Sequence, residues 1–183
     1  MTARDIATRL YFHHMTAARL MVPNCFLYAW ESDFLYVTKS GYVTEYEIKI
    51  SRGDFRADFK KQSKHRALAG LQVLPHIYAT RGRGTYEELA ARFATKLRTT
   101  PTPSRFFYAT ARGLLNPDEI PEYAGLVELD KHVWVIKKAP RLNHEKITTE
   151  QEARLNVSIY HRMWRLFCRG ETLDGQMMLR AIP

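Results

Sequence analysis

Apolar positions along the chain recur with two periods, and the switches between them mark out the elements. Ile6, Leu10, Ala17 and Leu20 follow one another near helical spacing. Thr2 and Asp5 precede them at capping-box spacing, and Pro23-Asn24 stops the run, so a first helix is expected up to that point. Cys25 to Trp30 is apolar and aromatic and reads as a first strand. Asp33 to Lys39 reads as a second and Tyr42 to Ile50 as a third, with the turn signal Ser40-Gly41 between them. Connections this short predict an antiparallel meander. In the third strand, alternation puts Tyr46, Ile48 and Ile50 on one face and Glu45, Glu47 and Lys49 on the other.

The period then lengthens. Ser51 with Asp54 has N-cap spacing, and Phe55 and Phe59, four apart, share one face of the helix that follows. Its acids come first and its bases (Lys60, Lys61, Lys64, His65, Arg66) last, as the helix dipole prefers. Leu71 to Ala79 reads as a short strand or an irregular segment, since Pro75 argues against a central strand. Arg81-Gly82-Arg83-Gly84 is a basic loop without the spacing of a nucleotide-binding GxGxxG or a P-loop. Thr85 and Glu88 form another capping box, and Leu89, Phe93 and Leu97 predict a helix ending before Pro101. Arg105 to Thr110, Gly125 to Leu129 and His132 to Lys137 read as strands. Thr149 with Glu152 opens a last helix carrying Leu155, Ile159, Met163 and Leu166, widened by Trp164 and Phe167 and stopped at Gly170. Residues 171–183 carry no firm signal and are expected to be loose.

Strands and helices in this order predict an α/β fold, and 183 residues suit a single domain over 1–183. Lys and Arg number 28 against 19 Asp and Glu, a net charge of +9, which favours a polyanionic partner, nucleic acid before an acidic membrane surface. Cys25 and Cys168 stand in apolar surroundings and outside any CxxC pair, so both are expected to be buried thiols in a reducing compartment, with neither a disulfide framework nor a zinc site. His13 and His14, about 100° apart on a helix, cannot chelate one metal together; one packed and one exposed ring is expected. The N-terminus has no signal-peptide pattern and no apolar run reaches the length of a membrane span, so a cytoplasmic protein is expected, with no membrane partner.

The charged face of the third strand is where chemistry is to be sought. Asp33, at the start of the second strand, is brought by a hairpin near Glu47 and Lys49. Two carboxylates and the Ile48 carbonyl offer oxygen ligands to a hard cation such as Mg²⁺, and the Lys49 ammonium could orient a water or stabilise charge on a phosphate oxygen. The alternative is that Glu45, Glu47 and Lys49 are the wet face of an antiparallel sheet.

Asp33…Glu47-Ile48-Lys49 resembles the core motif of the PD-(D/E)XK nuclease superfamily, an acid at the start of one strand, E-x-K on the next, then a helix. Residues 40–60, in which Glu47-Ile48-Lys49 runs into Ser51-Arg52-Gly53-Asp54-Phe55-Arg56-Ala57-Asp58, are similar to MmcB-like DNA repair proteins and related phage or prophage proteins. So is a second block, Arg105-Phe106-Phe107-Tyr108-Ala109 through Gly113-Leu114 to Ile120-Pro121-Glu122-Tyr123-Ala124-Gly125-Leu126-Val127. The two blocks cover roughly a third of the chain. The resemblance implies a restriction-endonuclease-like core, a mixed central sheet flanked by helices. It implies hydrolysis of DNA phosphodiester bonds with Mg²⁺ or Mn²⁺, in repair, recombination or phage DNA processing. Asp33, Glu47 and the Ile48 carbonyl would then hold the metal, with Asp33, Glu47 and Lys49 catalytic. Lys60, Lys61, Lys64 and Arg66 are the nearest candidates to grip the DNA backbone. Glu45 has no clear place in the motif, Ser32 stands where a proline often precedes the first acid, and residues 64–103 depart from the MmcB-like pattern as an insertion with its own helix. Members of the superfamily often pair to cut two strands, so a homodimer is one partner to look for. A nucleic-acid-binding protein on the same fold, with weak or lost catalysis, is the competing expectation.

Overall fold

The computed structural model describes residues 1–75, 78 and 84–168. The chain divides into two units, Met1–Ile147 and Thr148–Pro183. The first unit is α/β. Its elements are α1 (Ala3–His14), β1 (Ala18–Cys25), β2 (Ser32–Thr38), β3 (Val43–Lys49), α2 (Arg52–Asp58), α3 (Gln62–Leu68), α4 (Tyr86–Arg92), β4 (Arg105–Ala111), β5 (Gly125–Leu129) and β6 (Val133–Lys137). The second unit holds α5 (Thr149–Cys168), whose start is fixed one residue earlier than expected, by reciprocal bonds between Thr148 and Gln151.

One six-stranded sheet runs in chain order from β1 to β6. β1, β2 and β3 form the antiparallel meander. β3, β4 and β5 are parallel, and β6 returns antiparallel to β5. The β3-to-β4 crossover carries α2, α3 and α4. Alternation along the strands sorts the core into two layers. Tyr46 and Ile48 of β3, Phe107 and Ala109 of β4, and Val127 and Leu129 of β5 pack under α1 through Ile6 and Leu10. Phe106 and Tyr108 of β4 and Leu126 of β5 pack under Phe55 of α2 and Ala67 and Leu68 of α3. A third cluster joins Leu74 to Tyr86 and Leu89 of α4.

α1 starts as its cap predicts, with Thr2 and Asp5 bonded reciprocally, but it ends at His14. Leu20, Pro23 and Cys25 belong to β1, and of Cys25–Trp30, read as a strand, residues 26–30 are a loop. Proline stands in β1 without cost because this is an edge strand, where a missing N–H need not break a ladder. His13 is exposed and His14 packs, stacked on Tyr36 at 4.2 Å with its Nε2 2.8 Å from the Tyr46 hydroxyl. Burial pushes the His14 pKa down to about 4. The single helix expected after Ser51 is two, broken at residues 59–61. The helix over Leu89, Phe93 and Leu97 ends at Arg92, and residues 94–96 continue as a 3₁₀ turn. Cys25 is buried as expected, but Cys168 is exposed. Residues 81–83 of the basic loop, Gly170 and the tail 171–183 lie outside the described residues. Among the described residues no helix is long and apolar enough to cross a membrane.

Candidate active site

All seven residues of β3 are buried, including the face expected to be wet or chemical. Glu45, Glu47 and Lys49 retain 0%, 1% and 3% of their exposure, because α2 and α3 lie over that face. Burying an ion costs several kcal/mol unless it is paired and hydrogen-bonded, so these charges require partners. The crossover helices supply them. Around the Glu47 carboxylate stand three ammonium groups: Lys49 Nζ at 2.8 Å and Lys61 Nζ at 3.2 Å from Oε1, and Lys64 Nζ at 2.6 Å from Oε2. Asp58, fully buried at the end of α2, faces the same three lysines at 3.3, 2.9 and 3.5 Å. It also meets His65 Nε2 at 3.3 Å and accepts from the Tyr108 hydroxyl at 3.3 Å. Burial opposes the charge of Asp58, but the bond from His65 and the charge of Lys64 outweigh it and hold the carboxyl well below the usual range. Burial likewise works against the Lys49 ammonium, and Glu47 and Asp58 overcome it, raising its pKa.

The three residues of the sequence motif come together. β2 pairs with β3 as far as Phe34↔Tyr46, and one step further the same register sets Asp33 opposite Glu47. Asp33 Oδ2 accepts a hydrogen bond from the Ile48 amide at 2.8 Å. Burial, then the neighbouring charge of Glu47, push the Asp33 pKa up to about 6. Amide and carbonyl of one strand residue point to the same side, so the Ile48 carbonyl also faces this open end of the β2–β3 ladder.

The site also takes in residues outside the motif. Glu45 is not a ligand to the cluster. Its Oε1 accepts from the Trp30 indole at 2.9 Å, which ties the loop before β2 to the sheet. Burial pushes its pKa up to about 7. Of the four residues expected to grip a backbone, Lys64 is buried inside the cluster and Lys61 joins it with half its side chain exposed. Lys60 is exposed, and Arg66 lies away from the cluster with its guanidinium over the Tyr86 ring. Lys64 therefore corrects the expectation of a surface grip, and it brings the first residue of the 64–103 segment into the site. Asp58 is the acid that the sequence reading passed over. Its signal was present in the spacing, since Asp54, Asp58, Lys61 and Lys64 recur at three and four residues.

By type, Asp33, Glu47 and the Ile48 carbonyl are the oxygen donors that a hard cation takes. A carboxylate offers about four lone-pair positions. Lysines take three of them on Glu47, which leaves one. With Asp33 and the Ile48 carbonyl this makes two carboxylates and one carbonyl, a set suited to an ion such as Mg²⁺ that keeps several waters. Among the described residues no group of three or more His, Cys, Asp or Glu side chains is placed to hold a metal ion.

The chain matches no family model and no curated protein. Among solved structures it is similar to a protein of unknown function from Silicibacter pomeroyi. The TM-score is 0.56 at 16% identity, over 94% of this chain and 95% of that one. This likeness extends to the fold.

Proposed function

We propose that the chain is a metal-dependent nuclease that hydrolyses DNA phosphodiester bonds, with Asp33, Glu47 and Lys49 at its centre and Mg²⁺ or Mn²⁺ as cofactor. The observation that carries the reading is the placement of Asp33 opposite Glu47, on one buried face with the Lys49 ammonium 2.8 Å from Glu47. The mixed sheet flanked by helices suits the restriction-endonuclease-like core that the motif implies. The metal, when bound, would supply Lewis-acid polarisation of a phosphate oxygen and a water of lowered pKa. Asp33, Glu47 and the Ile48 carbonyl would hold it. Lys49, kept charged by Glu47 and Asp58, would stabilise charge developing on the phosphate. Asp58 positions that ammonium from 3.3 Å. Repair or phage DNA processing is the setting in which such an activity would serve.

A second reading, a nucleic-acid-binding protein without catalysis, is favoured by one observation: three ammonium groups already neutralise Glu47. Cleavage of duplex, single-stranded and branched DNA with Mg²⁺ or Mn²⁺ separates the two. The nuclease reading expects metal-dependent products that Glu47→Ala and Lys49→Ala each reduce by a hundredfold or more, on the order of 3 kcal/mol of barrier. Cutting of no DNA form, with calorimetry detecting no Mn²⁺ uptake, would leave the binding reading in its place.

A further inference from the structure

The parallel strands β3, β4 and β5 set their carboxyl ends side by side, and the site lies at that end. Lys49 closes β3, and Asp33 stands where β2 begins. In open α/β sheets this is the end at which ligands bind. Two exposed aromatic residues occupy the same end, one on each side of the site. Phe26, 70% exposed, follows the Cys25↔Ser32 pair in the loop that enters β2. Trp134, 46% exposed, stands at the start of β6. The ladder brings Trp134 into line with the site. Lys49 neighbours Thr110, Thr110 neighbours Glu128, and Glu128 pairs with Trp134, so the four side chains share one face of the sheet. Three strand spacings put Trp134 about 14 Å from Lys49. The indole is held in place: its Nε1 donates to Asp130 Oδ1 at 3.1 Å. Arg112, bonded to Asp130 Oδ2 at 2.8 Å, lays its guanidinium over the ring at 5.7 Å.

We infer that the site takes single-stranded DNA, laid across the carboxyl end of the sheet with one base stacked on Phe26 and another on Trp134. The phosphate between them, at Lys49, belongs to the nuclease reading, on which that part of the inference rests; the two platforms do not need it. A base in a duplex is paired and stacked on its neighbours, whereas an unpaired base has a free face, and aromatic side chains hold such faces with little regard to sequence. The span from Lys49 to Trp134 is about four nucleotides at the 3.4 Å rise of a duplex strand and fewer in an extended one. Between the platforms, half-exposed Lys61 and exposed Arg112 are the cations nearest the path of the backbone.

Fluorescence anisotropy of the full chain tests this, in EDTA and again with Ca²⁺, against three labelled probes. They are a strand of about 12 thymidines, an abasic strand with as many phosphates, and a blunt duplex of the same length. The wild type should bind the thymidine strand at least about tenfold tighter than either of the others. Phe26→Ala and Trp134→Ala should each weaken the thymidine strand about fivefold or more and leave the abasic strand unchanged. A wild type that binds no strand, binds the abasic strand equally well, or prefers the duplex would overturn the inference. So would variants that weaken both strands alike or neither. Should a variant unfold, the wild-type comparison of thymidine with abasic strand decides. A chain that meets these expectations but cuts nothing with Mg²⁺ or Mn²⁺ loses the nuclease reading and keeps the platforms. One that cuts DNA but ignores the missing bases keeps that reading and loses them.

Discussion

Lys64 shows how a site can use a charge for opposite purposes. An ammonium on a helix of a basic protein ordinarily points to water or to a polyanion. This one is buried, 2.6 Å from Glu47 Oε2 and 5.0 Å from the centroid of the Phe106 ring. It is half of a pairing that makes burial of Glu47 tolerable. Lys64→Met should cost about 3 kcal/mol in urea unfolding, because it leaves Glu47 Oε2 buried without that donor. Glu47→Gln should be costly in its turn, leaving three ammonium groups to Asp58. The double variant should lose at least about 1 kcal/mol less than the sum of the two single losses, since the residues share one network. Additive losses would show that the two side chains act independently.

Elements were legible where local chemistry decides and illegible where the sheet decides. The caps at Thr2, Ser51 and Thr85 each bond as their spacing predicts, because an N-cap is settled within four residues. The first strand was misread because Pro23 looks like a helix stop, and only its place at a sheet edge makes it a strand residue. The break between α2 and α3 has no glycine or proline to announce it. As a result Asp58, which closes α2, and Lys64, on α3, looked like parts of one solvated surface. The motif pair itself was legible because strand alternation fixes Glu47 and Lys49 on one face. Position 125 exposes a further element-level constraint, at the start of β5. A Cβ on Gly125 would meet the Phe107 ring and the Ala139 amide, and Phe107 is stacked on Tyr46 at 5.5 Å. Gly125→Ala should therefore cost about 1–3 kcal/mol in thermal unfolding through overpacking between β4 and β5. A Tm equal to wild type would mean that this layer yields without strain.

At the scale of the molecule, a net charge of +9 overstates what is free to meet a polyanion near the site. Lys49 and Lys64 are neutralised inside the cluster, Lys61 is paired there with half its side chain exposed, and Lys60 is exposed. On the proposed DNA-binding reading, Lys60 and Lys61 carry the salt dependence that Lys64 was expected to share. Each phosphate contact on a duplex contributes about −0.9 to the slope of log K against log salt, so Lys60→Gln should flatten that slope by about one unit, and Lys61→Gln by less, because the Lys61 ammonium is shared with Asp58 at 2.9 Å and Glu47 at 3.2 Å. Filter binding or anisotropy across a salt series measures it. Lys64→Met, in a background stable enough to bind, should leave the slope alone, because its charge is spent on Glu47 and Asp58. A slope that Lys60→Gln and Lys61→Gln leave untouched, but Lys64→Met flattens, would mean that the buried ammonium turns outward when DNA arrives, and that the cluster opens on binding.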